Sequence, residues 1–372
     1  MSAVRRLILA LVWLASCRPL PVPTDFVYPD ALAANDSTDA TALPGCGTPA
    51  CDGDDSLATC PSDCAAFAVR LAGPCTQTGS QDSCGRGWFC VARDASVGGP
   101  VCVADFATWA PLGDKRDDGD FAESGDAIAD RATGLTWARL SLRKLSWPDA
   151  MTSCTQQTWN GFHDWRLPTR AELRSLVDYT EVNPSARLAH FDWLQGDLQY
   201  WTAVPAPAPV GVDAPYGLEV SFANAKAPAD RFDTPLAVRC VRGGVQGQPM
   251  AASFEVRAGG LVVFDRLTGL TWQRAPAPNE LPIVPAQQFC TKNQLQLPGP
   301  GWRLPSLREL EALLRIGPTL PNFDDAFATT SEQWSWTTTT VVGIVDRIWM
   351  HSWDLGPDWA QGNDTLQFRC VR

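Results

Sequence analysis

Histidine is scarce in this chain, with three in 372 residues, His163, His190 and His351. No His-x-x-x-His pair offers a zinc site, no Gly-x-Ser-x-Gly turn raises a nucleophile, and no glycine-rich loop is shaped to cradle phosphate. The side chains of the common hydrolase, metalloprotease and nucleotide-dependent chemistries are therefore missing, and the expectation is a protein that is not an enzyme. Positive charge is also short: 30 Lys and Arg stand against 41 Asp and Glu, a formal net charge of −11. That excludes the broad basic surface that nucleic acid requires. Apolar runs are short too, and none reaches the ~20 residues that span a bilayer as a helix.

What the chain does have is a long repeat. Asp164-Trp165-Arg166-Leu167-Pro168-Thr169-Arg170-Ala171-Glu172-Leu173 returns as Gly301-Trp302-Arg303-Leu304-Pro305-Ser306-Leu307-Arg308-Glu309-Leu310. In each copy the proline disfavours helix in the residue before it, Thr169 or Ser306 stands at the N-cap, and Glu172 or Glu309 three residues on completes a capping box. Apolar residues follow at helical spacing, Leu173, Leu176 and Val177 in one copy and Leu310, Leu313 and Leu314 in the other, which predicts two short buried helices. Upstream, Asp130-Arg131-Ala132-Thr133-Gly134-Leu135-Thr136-Trp137 matches Asp265-Arg266-Leu267-Thr268-Gly269-Leu270-Thr271-Trp272, where Thr-Gly suits a tight turn between strands. Downstream, Trp201-Thr202 matches Trp336-Thr337, and Arg239-Cys240-Val241-Arg242 matches Arg369-Cys370-Val371-Arg372. A period this long means two globular modules, not a solenoid.

The first residues have the layout of an export signal. Arg5 and Arg6 precede an apolar run from Leu7 to Ala15, and Leu14-Ala15-Ser16-Cys17 resembles a bacterial lipobox. The expectation is a signal peptide over 1–17, lipidation at Cys17, and anchorage through acyl chains. Arg18 lacks the Asp that goes with inner-membrane retention, so the expected address is the outer membrane or cell surface. Residues 18–45, rich in Pro, Ala, Asp and Thr without periodicity, read as a tether spanning roughly 30 Å.

Thirteen cysteines are present, and twelve follow Cys17, an even number that in an exported chain favours disulfides. Eight fall within 46–104. Cys46-Gly-Thr-Pro-Ala-Cys51 with Cys60-Pro-Ser-Asp-Cys64 resembles small Cys-rich motifs of secreted bacterial proteins, with Leu57 where those often carry another Cys; Cys75, Cys84, Cys90 and Cys102 form a second group. The spacing is not the paired grid of a zinc site. Asp52, Asp54, Asp55 and Asp63 could hold calcium but do not follow the EF-hand order, so no cofactor is assigned. The other four cysteines repeat with the modules, and the economical pairing is Cys154 with Cys240 and Cys290 with Cys370.

The ordered set of landmarks, from the Thr-Gly-Leu-Thr-Trp turn through a Cys-bearing helix and Trp-Arg-Leu-Pro to Arg-Cys-Val-Arg, resembles the Lcl C-terminal domain family, over residues 118–243 and again 253–372. That family is similar to C-type-lectin-like and formylglycine-generating-enzyme-like folds. The resemblance implies two tandem α+β modules, each a twisted antiparallel sheet with two helices, in which a disulfide ties the first helix to the last strand. It also implies surface proteins, with an adhesin of sulfated glycosaminoglycans as namesake.

An anionic ligand would need a local basic cluster, for which Arg166, Arg170, Arg174 and Arg239 are the candidates, although Arg166 and Arg303 read better as structural partners of a carboxylate or carbonyl within the motif. Tryptophan is abundant at sixteen. Trp137, Trp165, Trp201, Trp272, Trp302 and Trp336 belong to the repeat and read as core. Trp334, Trp349, Trp353 and Trp359 do not repeat, and with Asp354, Asp358 and Asn363 they crowd the late part of the second module. Aromatic faces beside carboxylates suit sugar rings, so Trp349, Trp353, Asp354, Asp358 and Trp359 are the candidate ligand-binding residues; the competing reading packs these tryptophans into the core or against the first module. The expected function is recognition of an extracellular glycan or protein, with a structural spacer of an envelope complex, or a degenerate formylglycine-generating-type enzyme, as the alternatives.

Overall fold

The computed structural model describes residues 75, 88–105, 107, 109, 112–181, 190–192, 198–206, 212–244, 254–314, 324–328, 334–352 and 356–372. The signal, Cys17, the tether, the acidic run at Asp52, Asp54, Asp55 and Asp63, and the candidates Trp353 and Asp354 lie outside them.

The Cys-rich region contributes a hairpin of β1 (Trp88–Val91) and β2 (Val101–Ala104), with Cys75 bonded to Cys90 and Cys102 also in a disulfide. This hairpin is not a free-standing knot. Val91, Val101 and Val103 enter the core of the first module, while Trp88, Cys90 and Ala104 pack with Leu267 of the second.

The first module runs through β3 (Phe121–Ser124), β4 (Ala127–Asp130), β5 (Leu135–Ala138), β6 (Leu142–Leu145), α1 (Trp147–Thr155), α2 (Arg170–Arg174), β7 (Gln199–Ala206), β8 (Tyr216–Ser221), β9 (Ala229–Arg231), β10 (Leu236–Val238) and β11 (Val241–Gly243). Two sheets result, ordered β11-β5-β4-β3 and β6-β10-β7-β8-β9, antiparallel except for the β10–β7 contact. The second module repeats the plan more sparely: β12 (Phe254–Arg257), β13 (Val262–Asp265) and β14 (Thr271–Gln273) form one sheet, α3 (Ile283–Thr291) and α4 (Leu307–Leu313) follow, and β15 (Trp334–Thr340), β16 (Arg347–Ser352) and β17 (Gly356–Gln361) form the other. The architecture is mixed α+β, with several antiparallel sheets and few helices. No helix among the described residues is long and apolar enough to cross a membrane.

The repeated turn has a local cause. Asp130 accepts from the backbone N–H groups of Ala132 and Thr133, and Asp265 accepts from Leu267 N–H and the Thr268 hydroxyl. Gly134 and Gly269 then take φ of 71° and 74°, a left-handed region that a β-carbon would strain.

Each module closes on its last residues. The chain crosses from one sheet to the other at Cys240, bonded to Cys154 in α1; Cys370 is bonded to Cys290 in α3. The closed loops span 86 and 80 residues, and in the chain-entropy account each such bond contributes about 4.5 kcal/mol. Immediately after the cysteine, Val241 bridges both Trp137 and Arg166, and Val371 bridges both Trp272 and Arg303. The core forms around these crossings, with Trp137, Trp165, Trp201, Trp272 and Trp336 fully buried.

Candidate functional site

The Trp-Arg-Leu-Pro motif is a structural clasp. The Arg166 guanidinium donates to both carboxylate oxygens of Glu172 at 2.8 and 2.6 Å and to Gly243 O at 2.9 Å, while Glu172 Oε2 also accepts from Thr169 N–H at 2.9 Å. One carboxylate thus completes the capping box and neutralises the arginine. The second copy is the same in outline, with Arg303 on Glu309 at 2.8 and 2.6 Å and Ser306 N–H at 2.8 Å. The two differ in exposure: the Arg166 side chain is fully buried, that of Arg303 is 45% exposed.

Arg166, Arg170, Arg174 and Arg239 do not form a basic surface. Arg166 is spent on Glu172, Arg170 on Asp105 at 3.1 Å, and Arg174 on Glu311. Arg239 donates to the carbonyls of Ala138, Arg139 and Asp192, with the rings of Phe191 and Tyr200 against its guanidinium. Burial lowers its pKa to about 10. All four are buried, and the anion-binding expectation for this group fails because each is already compensated inside the fold.

The late part of the second module divides. Trp349 is 5% exposed, its ring packed edge-on against Tyr179 of the first module at 5.8 Å, so it belongs to the seam between modules and not to an open surface. Asp358 is drawn the same way, bonded to Lys226 of the first module at 2.8 Å. Trp359, directly across from Trp349 in the β16–β17 register, is 40% exposed, and the Arg347 guanidinium lies 3.9 Å from its ring centroid. Ile344 and Val345, on the turn before β16, are also exposed. β17 is an edge strand, and the outward backbone N–H groups of Trp359 and Gln361 are met by the carboxylates of Asp358 and Asp364 at 2.9 and 2.8 Å. That edge is closed to an added strand, which leaves recognition there to side chains.

The seam itself was not legible residue by residue. Arg174 and Glu311 occupy the same repeat position, eight residues after Arg166 and Arg303, and they pair with each other. Tyr179 joins them: its hydroxyl accepts from Arg174 at 2.6 Å and donates to Glu311 at 3.1 Å. Burial raises the Tyr179 pKa, keeping the phenol neutral and able to donate. Arg308 of α4 reaches the carbonyls of Arg174, Ser175 and Val177 and caps the C-terminal end of α2. Asp105 binds the other end of α2, accepting from Ala171 N–H at 2.7 Å. Thr339 donates to Asp114 at 2.9 Å, across the same seam. His351, fully buried, is held well below its ordinary pKa by burial and by the charges of Arg174 and Arg170, so it is neutral. The signal that could have found the seam is the charge reversal between repeats, Arg174 against Glu311.

Where the seam meets the segment after the Cys-rich region it leaves a small cleft of about 40 Å³, lined by Trp109, Leu112, Leu270 and Ala312 and by Arg174 and Arg308, among others. Among the described residues, no group of three or more His, Cys, Asp and Glu is placed to hold a metal.

Comparison with curated proteins gives no match. The Lcl C-terminal domain model matches residues 126–242 and 261–372, the two stretches that carry the clasp, the disulfide and the closing Arg-Cys-Val-Arg. Since these matches cover more than half of the chain, the protein belongs to the Lcl C-terminal domain family and carries that domain twice, in tandem.

Proposed function

We propose that the protein is an exported, lipid-anchored envelope protein in which two modules of C-type-lectin-like fold bind an extracellular glycan or protein, the contact centring on Trp359 of the second module. The observation that carries this reading is the Trp359 ring, exposed on an edge strand whose main chain is closed, with Arg347 stacked on it and Ile344 and Val345 exposed nearby. An exposed indole beside a cation and carboxylates suits a sugar ring or a peptide side chain. The disulfides suit an oxidising compartment outside the cytoplasm, in keeping with export. Anchorage at Cys17 and an outer-membrane or surface address rest on the signal-like residues 5–17. Cys154, Cys240, Cys290 and Cys370 are all held in disulfides, so the repeats offer no thiol for formylglycine-generating chemistry.

A second reading has its own observation. Trp349 and Asp358 serve the seam between modules, which favours a rigid spacer in an envelope complex.

A glycan array that includes neutral and sulfated glycosaminoglycan chains, probed with wild type and Trp359→Ala, separates the two. Saturable retention on the array by wild type, lost in a Trp359→Ala variant with unchanged melting temperature, is the expected result. Retention that survives the substitution would displace the contact from Trp359, and no retention by wild type would favour the spacer.

A further inference from the structure

At the turn between β15 and β16, Val345 is 86% exposed and Ile344 52%; no other large apolar side chain among the described residues is as exposed as Val345. The turn is closed by its own backbone. Val341 N–H donates to Arg347 O at 2.9 Å, and Gly343 and Asp346 take φ of 80° and 59°. From β17, Gly362 N–H donates to Asp346 O at 3.1 Å, and Gly362 O accepts from Ile283 N–H at 3.2 Å. Val284, the next residue, is 55% exposed and widens the apolar surface around the tip. The first module has an equivalent hairpin, since Thr202 donates to Leu218 O in β7–β8 as Thr337 donates to Trp349 O in β15–β16. Its turn carries a nearly identical run, Val210-Gly211-Val212-Asp213 against Val342-Gly343-Ile344-Val345-Asp346, and Val212 is exposed as well.

A protruding aliphatic turn offers no groove to seat a peptide, and the neighbouring edge of β17 is closed to an added strand from a second copy. A fluid apolar phase takes such a tip without matching its shape, and backbone groups already bonded within the turn do not oppose entry. Behind the tip stand the Trp359 ring and the Arg347 guanidinium, an aromatic and a cation of the kind that settle at the level of lipid headgroups. We propose that the β15–β16 tip dips into the surface of a zwitterionic phospholipid bilayer, with Ile344 and Val345 in the acyl boundary and Asp346 and Arg347 among the headgroups. Insertion is shallow because Asp346 directly follows Val345. The bilayer is zwitterionic because a chain of net charge −11 is repelled by an anionic one. The inference rests on the turn, and neither on what Trp359 binds nor on an acyl anchor.

The test is local fluorescence quenching. The full chain carries Cys17→Ser, which leaves the even set of cysteines, and Val345→Cys labelled with bimane; the chain without the added cysteine sets the background. Phosphatidylcholine vesicles bearing nitroxide on the acyl chains are added. A second chain, labelled through Val256→Cys on β12, reports an apolar site of the same module that is 43% exposed but away from the turn. Both positions are on the surface, so the substitutions leave the fold intact. The label at position 345 is expected to be quenched at least ~5-fold more strongly than the label at 256, and equally at low and high salt. Ile344→Ser in the chain labelled at 345 should lower the ratio of inserted to free tip about 10-fold. No quenching at 345, equal quenching at both positions, or loss of quenching in high salt would overturn the proposal. So would a label at 345 that shifts with protein concentration in the absence of vesicles, since a second copy would then cover the tip. Failure on the glycan array would not bear on it.

Discussion

The repeat supplies its own control for the energetics of the clasp. Glu172 and Glu309 make the same three bonds, two to an arginine and one to a capped backbone N–H, but Arg166 is fully buried and the Arg303 side chain is 45% exposed. Replacing either glutamate by glutamine keeps the shape and removes the charge: an amide oxygen in the place of Oε2 can still accept from both the arginine and the cap, but the amide nitrogen in the place of Oε1 sets a donor against the second arginine N–H. In the first module the substitution strands a guanidinium that water cannot reach, and breaking a buried pair costs about 3–5 kcal/mol. In the second, Arg303 can turn to solvent. What is lost there is the charge of a pair whose arginine side faces water, about 1 kcal/mol. The assay is urea unfolding with disulfides intact, followed by tryptophan fluorescence and by far-ultraviolet circular dichroism. Glu172→Gln should be the more damaging by ~2 kcal/mol or more. Equal losses, or a larger loss from Glu309→Gln, would refute the reasoning that burial and not the motif sets the energy.

The seam between modules should behave as a charge-complementary contact: Arg174→Glu places like charges together and should split unfolding into two transitions, and the exchange Arg174→Glu with Glu311→Arg should recover a single one in differential scanning calorimetry. A double variant no better than the single would show that the pair does not couple the modules. Glu219, buried in β8, has its pKa raised by burial from 4.5 to about 7. The folded chain therefore binds that proton more tightly than the unfolded chain, so the contribution of Glu219 to stability is most favourable below pH 4.5 and is lost as pH rises towards 7. Glu219→Gln should remove that fall, gaining at most about 3 kcal/mol above neutrality and little in acid. Thermal melts at pH ~5 and ~8 check it, and an equal gain at both would contradict the assignment.

Local features of the fold are legible in the sequence because their partners are close along the chain. Thr169 and Glu172 are three residues apart, and so are Ser306 and Glu309; Asp130 and Gly134 define their turn within five residues. The closing Arg-Cys-Val-Arg is legible for a different reason, because it occurs twice. Contacts between modules have no such help. Trp349 reads as a candidate binding residue because aromatic residues crowd its neighbourhood, but Tyr179, which covers it, lies 170 positions earlier. Arg170, Arg174 and Arg239 read as a basic cluster because only their own signs are visible, whereas Asp105, Glu311 and the carbonyls that answer them come from elsewhere in the chain. Charge written in a sequence is gross charge. Folding decides how much of it faces outward.

The two long disulfides have a mechanical consequence. A chain held at one end and loaded through what it grips can lengthen only where its covalent path is open. The bonds Cys154–Cys240 and Cys290–Cys370 short-circuit 86 and 80 residues, roughly 300 and 280 Å of extended chain. Even if every hydrogen bond of both modules gave way under tension, those lengths would stay coiled behind two sulfur bridges. The molecule would pull taut early and pass the load on, instead of paying out slack.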